Sequence, residues 1–316
     1  MSRAPTSVSS GDARKRGVTI VSQVIQTLVN GLALGGVYAL TTLGLVIVFG
    51  IMRLINFAYA ELIMGAGYAL WIFTSLGIPW LAALVLAVVV ATLLALLMER
   101  VAFRPLRDAS ASTLLIASFA VSSFLQRFVE VYIWPRPIAV PIPAVFAETY
   151  EIGGVRIPKV DILSIVMTVV VLVGLTLLLK RTLIGISLRA AAEDFATTRL
   201  MGVDANRVIA TAFAIEGVLA GIVMLFWVGS AGVVYPAIGL TPIIIAFMAA
   251  VVGGIRSLTG AVVGGFVVGF LFTALATFLP SAAQNYRQAL LFVIVVAVLL
   301  FRPGGIVGAG VREETG

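Results

Sequence analysis

Three polar side chains lie inside long apolar stretches of this sequence: Asn56, Glu61 and Glu216. Glu61 follows Arg53 by eight positions, and Glu216 follows a charged loop at a similar distance. At 1.5 Å per residue, each carboxyl group would lie roughly 10 Å along its helix. If these stretches cross a membrane, such groups join helices, contact a passing solute or relay protons. The three residues are therefore candidates for bracing or lining a pathway through a membrane.

The residue types that are missing exclude most enzyme chemistry. The chain has no histidine and no cysteine, so it has no Ser-His-Asp triad, no HExxH zinc site and no thiol nucleophile. It also lacks a Gly-x-x-x-x-Gly-Lys-Ser/Thr loop, so it does not bind ATP through a P-loop of its own. We expect a protein that is not an enzyme and that carries no cofactor or metal.

The composition indicates the elements that must position these polar groups. Apolar residues make up 61% of the chain and charged residues only 11%, with a mean hydropathy of +1.16. Apolar runs of about 20 residues recur, which is the length that a helix needs to cross a bilayer core of about 30 Å. The sequence therefore predicts an all-α, polytopic helical membrane protein surrounded by membrane lipid.

The net charge of +7 is distributed as in a membrane protein rather than as in a nucleic-acid-binding protein. Basic residues cluster before the first apolar run (Arg14, Lys15 and Arg16), around 100–107 and in the loop 180–207. Cytoplasmic loops of membrane proteins are enriched in lysine and arginine, so these three segments are predicted to be cytoplasmic. The proline-rich segment 134–161 balances its charges and is predicted to lie outside. No nucleic-acid partner is expected.

The charge pattern also predicts the number of crossings. Segments on the same side must be separated by an even number of helices, so the long run 18–49 is split near Gly35–Gly36 into two crossings. This gives about ten transmembrane helices, with eight or nine as alternatives if glycine-rich halves re-enter the membrane. The predicted organisation is a basic cytoplasmic tail (1–17), a membrane domain (18–303) and a cytoplasmic tail (304–316).

The charged loop 180–207, KRTLIGISLRAAAEDFATTRLMGVDANR, is longer than a turn between two helices requires. Ser187 is suited to cap a short helix, and apolar residues then recur at i, i+3, i+4 and i+7. Because this stripe is mostly alanine and acidic residues flank it, a groove in a soluble partner suits it better than lipid. The residues assigned to this docking helix are Ser187, Leu188, Ala191, Ala192, Glu193, Phe195, Leu200 and Gly202.

Three segments resemble the permeases of branched-chain amino-acid ABC importers, in the order found in that family. The loop with the following helix, GISLRAAAEDFATTRLMGVDANRVIATAFAIEGVLAGI, is similar to the family's cytoplasmic coupling region. NGLALGGVYALTTLGLVIVFGIMRLINFAYAELIMGAGYAL resembles its N-terminal signature, and GLTPIIIAFMAAVVGGIRSLTGAVVGGFVVGF its glycine-rich C-terminal signature. The chain looks most like the shorter of the family's two paired permeases.

The resemblance implies alternating access driven by partner proteins in a bacterial cytoplasmic (inner) membrane. Two cytoplasmic ATPases, which alone use ATP, would dock on the helix 187–200. A second, related permease would complete the pathway, and an extracytoplasmic binding protein would deliver the substrate. The family commonly has Asn-x-Ala-His-Gly-Glu where this chain has Asn56 to Glu61, so Tyr59 and Ala60 replace the histidine and glycine.

Two other functions remain open at this stage. Permeases for urea and short-chain amides are close relatives of the same family, and the sequence does not choose between these substrates. A secondary transporter coupled to ions through Glu61 and Glu216 is the rival class. It would work without ATPase partners and would lose transport when either glutamate is neutralised.

Overall fold

The computed structural model describes residues 10–107, 109–143, 146, 148–152, 155–302 and 304–307. Helix dominates these residues. The helices are α1 (Ser10–Met52), α2 (Tyr59–Ser75), α3 (Trp80–Met98), α4 (Ala111–Tyr132), α5 (Lys159–Arg181), α6 (Leu183–Glu193), α7 (Phe195–Leu200), α8 (Ala205–Ala231), α9 (Leu240–Gly253), α10 (Leu258–Phe278) and α11 (Arg287–Phe301). The strands are β1 (Ile138–Ala139), β2 (Thr149–Ile152), β3 (Val155–Pro158) and β4 (Val233–Val234).

Seven segments within the described residues are long and apolar enough to cross a membrane. They contain α1, α3, α4, α5, α8, α10 and α11. Two further apolar helices are shorter, α2 with 17 residues and α9 with 14. The all-helical membrane architecture is therefore confirmed, whereas the predicted count of about ten helices is not.

The predicted break in the first apolar run is wrong. Helix α1 continues through Gly35 and Gly36 without interruption. These glycines allow close packing, because a Cβ on Gly269 of α10 would overlap the backbone of Gly35, and one on Gly265 would overlap Ala39. Small residues let helix backbones approach one another in membranes. The glycines thus join α1 to α10 instead of dividing α1.

The unbroken α1 reaches from one end of the bundle to the other. In its N-terminal half, the Gln26 side chain exchanges two hydrogen bonds with the backbone of Arg156 in β3, at 2.6 and 2.8 Å. Just beyond its other end, Arg53 lies beside residues 191–195. We call these the hairpin end and the loop end. If α1 crosses a membrane once, the residues that lead into it and the loop 180–207 lie on opposite sides, not on the same side as predicted.

The core lies around α1, α2 and α8. In α1 the most apolar window is 83% buried inside the bundle, compared with 11% for the segment that contains α11. The peripheral helices α3, α4, α5 and α11 instead expose many large apolar side chains, as lipid-facing helices do. The molecule is therefore a central group of helices inside a ring of helices that face lipid.

The hairpin end carries two small antiparallel sheets. Strands β2 and β3 pair in the register Thr149↔Pro158, and β1 pairs with β4 through Ile138↔Val234. Their charges are matched, since Glu151 accepts from the Arg156 guanidinium at 2.7 Å. Arg127 and Glu130, three positions apart near the end of α4, form an ion pair at 2.7 Å. This end is therefore close to neutral, as the sequence predicts for the segment 134–161.

Helix α9 is short because the chain enters the bundle interior before the helix begins. Gly239 lies directly against the carbonyl oxygen of Ala60 in α2, where a Cβ would overlap it. The segment from Gly232 to Gly239 is mostly non-helical, and Val140 N–H donates to the Gly232 carbonyl at 3.0 Å. Irregular backbone at this depth requires surrounding protein to shield its polar groups. Helix α2 supplies part of that surface.

Candidate functional site

Asn56 and Glu216 are brought together in the centre of the bundle. The Asn56 amide donates to both carboxyl oxygens of Glu216, at 3.1 and 3.2 Å. Its own carbonyl oxygen accepts from the Ala58 N–H at 3.1 Å, which fixes the turn before α2. Both side chains are fully buried. This contact joins the α1–α2 connection to α8 across 160 positions of sequence.

Glu61 lies in the first turn of α2, not about 10 Å along its helix as the sequence predicts, and it contacts a different helix. The Ser122 hydroxyl of α4 donates to Glu61 Oε1 at 2.8 Å, and Glu61 Oε2 is buried without a partner among the described residues. Together, Asn56, Glu61, Ser122 and Glu216 form what we call the interior polar cluster. Sequence reasoning missed Ser122, although it is spaced four positions from Ser118, and the two serines mark the buried polar face of α4.

The interior polar cluster lines neither of the two cavities described below. Its members instead link α2 to α4 and α8. Hydrogen bonds between transmembrane helices contribute about 0.6 kcal/mol on average, and up to about 2 kcal/mol. The geometry therefore supports helix–helix bonding as the role of these residues, and contact with a passing substrate stays a prediction.

Tyr59 is accommodated by a glycine. It stands where the family that the sequence resembles commonly has histidine. Its ring is fully buried, and a Cβ on Gly44 of α1 would overlap its hydroxyl oxygen. The hydroxyl has no hydrogen-bond partner in the described part of the chain. Ala60 is equally buried and packs against Gly239. The tyrosine–alanine pair thus fits because glycines stand opposite both residues.

The loop 180–207 contains two helices rather than the single one predicted from Ser187. Helix α6 begins at Leu183, where the Thr182 hydroxyl accepts from the Gly185 N–H at 3.1 Å. Ser187 is not a cap, since it lies mid-helix and donates to the Leu183 carbonyl at 3.0 Å. Asp194 ends α6 and caps α7 by accepting from the Thr197 N–H at 3.0 Å.

The end of this loop contains a helix stop followed by a helix cap. Gly202 has a φ of +85°, the left-handed conformation that favours glycine after a helix. Asp204 then caps α8, because its carboxylate accepts from the Asn206 N–H at 2.9 Å. Leu200 is the last residue of α7 and is almost fully exposed.

The apolar stripe of α6 faces its own bundle, not the outside. Leu188 and Ala191 are buried in the main hydrophobic core, and Phe195 of α7 packs partly against it. Ala192 and Glu193 are exposed. Helix α6 contacts α1, α5 and α8 through its buried side. Leu188 and Ala191 were predicted to contact a partner, but they anchor α6 to its own bundle.

A different set of apolar residues is left uncovered on this segment. Leu183 is 82% exposed and Leu200 87%, although both are large and apolar. Apolar side chains that collect on one exposed segment mark contact sites more often than scattered ones do. We call this set the docking patch, and its members are Leu183, Ile184, Ile186, Leu200 and Met201.

Beside the docking patch lies a cavity of about 1360 Å³ at the loop end. Arg53, Arg104, Arg107 and Arg199 line it, together with acidic residues of the loop. Arg107 is held in place by Glu99 and by the Asn206 side chain. The cavity separates α6 and α7 from the end of α3, and its basic walls are largely solvent-facing. We call it the loop-end cavity.

Comparison with known proteins identifies the family. The model of the branched-chain amino acid transport system permease component matches residues 27–299. The chain belongs to this family. It is 37% identical over 297 residues to the high-affinity branched-chain amino acid transport system permease protein BraD of Pseudomonas aeruginosa, covering 90% of this chain and 95% of BraD.

Two other relatives give the same result for this permease. The high-affinity branched-chain amino acid transport system permease protein LivH of Escherichia coli is 32% identical over 298 residues, 90% of this chain and 95% of LivH. The "Probable branched-chain amino acid transport permease protein LivH" of Methanocaldococcus jannaschii is 31% identical over 283 residues, 85% and 88% of the two chains. No solved structure shows a significant match to the permease.

Proposed function

We propose that this chain is one of two paired permeases in an ATP-driven importer of branched-chain amino acids. The family and the printed names of BraD and LivH support the substrate class. Urea and short-chain amides have no comparable support. The single observation that carries the coupling mechanism is the docking patch, which is apolar, exposed and mounted on a segment anchored to the core.

The docking patch is suited to transmit force from a soluble partner. Leu188 and Ala191 fix α6 to the bundle, and Asp194 caps α7, so the segment behaves as part of the bundle. Arg189, Glu193 and Arg199 of the same two helices are exposed as well and add charge to this segment. An apolar centre with a polar rim is the usual composition of a protein–protein interface. Cytoplasmic ATPases of the ABC type are the proposed occupants.

This assignment orients the molecule. With the docking patch in the cytoplasm, the hairpin end and the start of α1 lie outside, where a binding protein would deliver substrate. Helix α10 runs antiparallel to α1, since the Thr27 hydroxyl contacts the Thr277 hydroxyl at 3.1 Å while Ala39, further along α1, lies against Gly265, earlier in α10. The segment after α11 bonds to the end of α9, where Ile306 N–H donates to the Val252 carbonyl at 2.8 Å. The C-terminal tail is therefore proposed to be cytoplasmic and the N-terminal tail external.

Co-purification of the complex tests the docking patch. We expect Leu200→Asp to remove the ATPases from a complex isolated in mild detergent, because a carboxylate would enter an apolar interface. Leu76→Asp is the matched control, since Leu76 is also an exposed leucine, 71% exposed, but lies in the connection between α2 and α3. It should leave the ATPases bound.

The same experiment has outcomes that would overturn the proposal. ATPases retained by Leu200→Asp and by Met201→Asp would show that the patch is not the docking surface and contacts lipid instead. A wild-type permease that purifies without any ATPase, yet transports when an ion gradient is imposed, would establish the ion-coupled class. The number of each subunit is read from the intact mass of the complex.

A further inference from the structure

A second cavity, of about 320 Å³, lies near the hairpin end between α1, α5, α8, α10 and α11. It shares no lining residue with the loop-end cavity or with the interior polar cluster. Sites for small molecules typically enclose about 300–1,000 Å³. This hairpin-end cavity therefore has room for one small molecule.

Two charged side chains of opposite sign line the hairpin-end cavity from different helices. Asp161 lies in the first turn of α5, and Arg287 is the first residue of α11. Neither forms an ion pair with any residue that the structure describes, whereas Glu151 and Arg156 in the neighbouring hairpin are paired. The cavity thus presents a carboxylate and a guanidinium that are both available to a ligand.

The local structure does not account for the position of Arg287. The positive end of the helix dipole disfavours a cation at the start of α11. The guanidinium carbon lies 4.2 Å from the ring centroid of Phe272, another lining residue. Stacking of this kind holds the planar group against the cavity wall and leaves its N–H donors free for an anion. A carboxylate is the group that matches this fork.

Two uncharged side chains with unused N–H donors also line the cavity. Trp227 lines the cavity, and its indole N–H is buried without an acceptor in the described chain. Asn30 uses its carbonyl oxygen to accept from the Gln26 amide at 2.8 Å. Its own amide nitrogen has no acceptor among the described residues and remains available. Buried donors normally have a partner, so this unused capacity is informative.

The hydroxyls of Ser164, Ser230 and Thr273 also line the cavity, but each donates to a backbone carbonyl of its own helix. The remaining lining is apolar and extends towards the bundle centre. Leu34 and Val37 follow Asn30 along α1, roughly 6 and 10 Å further from the hairpin end. Phe226 and Phe272 contribute from α8 and α10. A polar mouth above an apolar floor suits a ligand with a charged head and an aliphatic tail.

We propose that the hairpin-end cavity binds one zwitterionic α-amino acid with an aliphatic side chain. The Asp161 carboxylate accepts from the ammonium group, the Arg287 guanidinium donates to the carboxylate, and the side chain lies against Leu34, Val37 and Phe226. This assignment rests on the proposed function and adds to it a substrate contact within this subunit. Ethanolamine phospholipids share the ammonium-and-anion chemistry, so lipid is the alternative source that the test must separate.

The absence of cysteine allows a site-specific test. Ser230 lines the cavity and is exposed, so Ser230→Cys in the complete importer provides one thiol in this subunit. We expect leucine to slow maleimide labelling of that thiol in the absence of the binding protein. Ser281→Cys is the matched control, because Ser281 is exposed at the same end but does not line the cavity. Its labelling should not respond to leucine.

Analogues and second substitutions identify the two charges. Isoamylamine, which lacks the carboxylate, and 4-methylpentanoate, which lacks the ammonium, should each protect only at concentrations about tenfold to a hundredfold higher than leucine. When Asp161→Asn is added to Ser230→Cys, leucine should no longer protect at lower concentration than 4-methylpentanoate. When Arg287→Gln is added instead, leucine should no longer protect at lower concentration than isoamylamine. Arg287→Lys should restore part of this second difference. Equal protection by all three ligands would overturn the assignment of both charges.

Two further measurements separate failure of this site from failure of the proposed function. Leucine uptake by the Ser230→Cys importer with its binding protein tests the function alone. Normal uptake without protection of the thiol would overturn the site and leave the function standing. Labelling in nanodiscs with and without phosphatidylethanolamine tests the lipid. Slow labelling that requires this lipid and ignores leucine would assign the cavity to a headgroup.

Discussion

The interior polar cluster and the hairpin-end cavity place similar side chains in opposite situations. Glu216 is fully buried and accepts two hydrogen bonds from Asn56, whereas Asp161 lines a cavity without an ion-pair partner in the described chain. In the cluster Asn56 bonds to Glu216 and Ser122 bonds to Glu61, and Glu61 Oε2 is the atom left without a partner among the described residues. In the cavity, neither Asp161 nor Arg287 forms an ion pair with a described residue. A polar residue in an apolar stretch is therefore informative about binding only when its partners are known.

The largest expected effect is loss of stability in the cluster. Asn56→Leu removes both hydrogen bonds to Glu216 and leaves a buried carboxyl group without a partner, at a cost of about 2–3 kcal/mol. Thermal unfolding of the purified importer should show a clearly lower midpoint. Asn30→Leu is the matched control in the cavity, where one bond to Gln26 is lost. If both variants unfold at the wild-type temperature, the cluster does not brace the helices.

A moderate effect is expected when the glutamates of the cluster are neutralised. In Glu61→Gln the amide oxygen still accepts from Ser122, and in Glu216→Gln it still accepts from Asn56. Leucine uptake in proteoliposomes with ATP should therefore stay within about twofold of the wild-type rate. Ser122→Ala is the companion variant, since it removes a bond but no charge. Complete loss of uptake in both glutamine variants would instead support proton or ion coupling.

Much of the fold could be predicted because membrane crossing depends on apolar length. The apolar runs 162–179 and 208–228, on either side of the charged loop in the sequence, correspond to α5 and α8. The path of α1 could not be predicted. Charge counting required two crossings within this run, whereas the run forms one continuous helix whose glycines pack against α10. Charge near a terminus is one influence on topology, and a continuous helix can override it.

The candidate sites show why contacts are harder to predict than elements. Leu188 and Ala191 have the spacing that suits a groove in a partner. The same apolar residues are instead buried inside the bundle, where α6 contacts α1. Asp161 ends the segment 134–161 that the sequence predicts to lie outside. It lines one cavity with Arg287, 126 positions away in sequence, only because several helices pack around that cavity. Periodicity identifies a face, and only the packing decides what covers it.

The smallest expected effect is on the unfolding midpoint of the cavity variants. It tests the contrast between the cavity and the interior polar cluster most directly. Arg287→Gln removes a cation from the start of α11, where the helix dipole disfavours it, and breaks no ion pair among the described residues. Its stacking on Phe272 contributes about 0.5–1 kcal/mol, which offsets that gain. The unfolding midpoint in the absence of leucine should therefore equal that of wild type. Leucine should then raise the midpoint of wild type more than that of Arg287→Gln, because a ligand stabilises the state that binds it. A variant that is unstable without leucine would show that Arg287 braces the fold, as Asn56 does in the cluster.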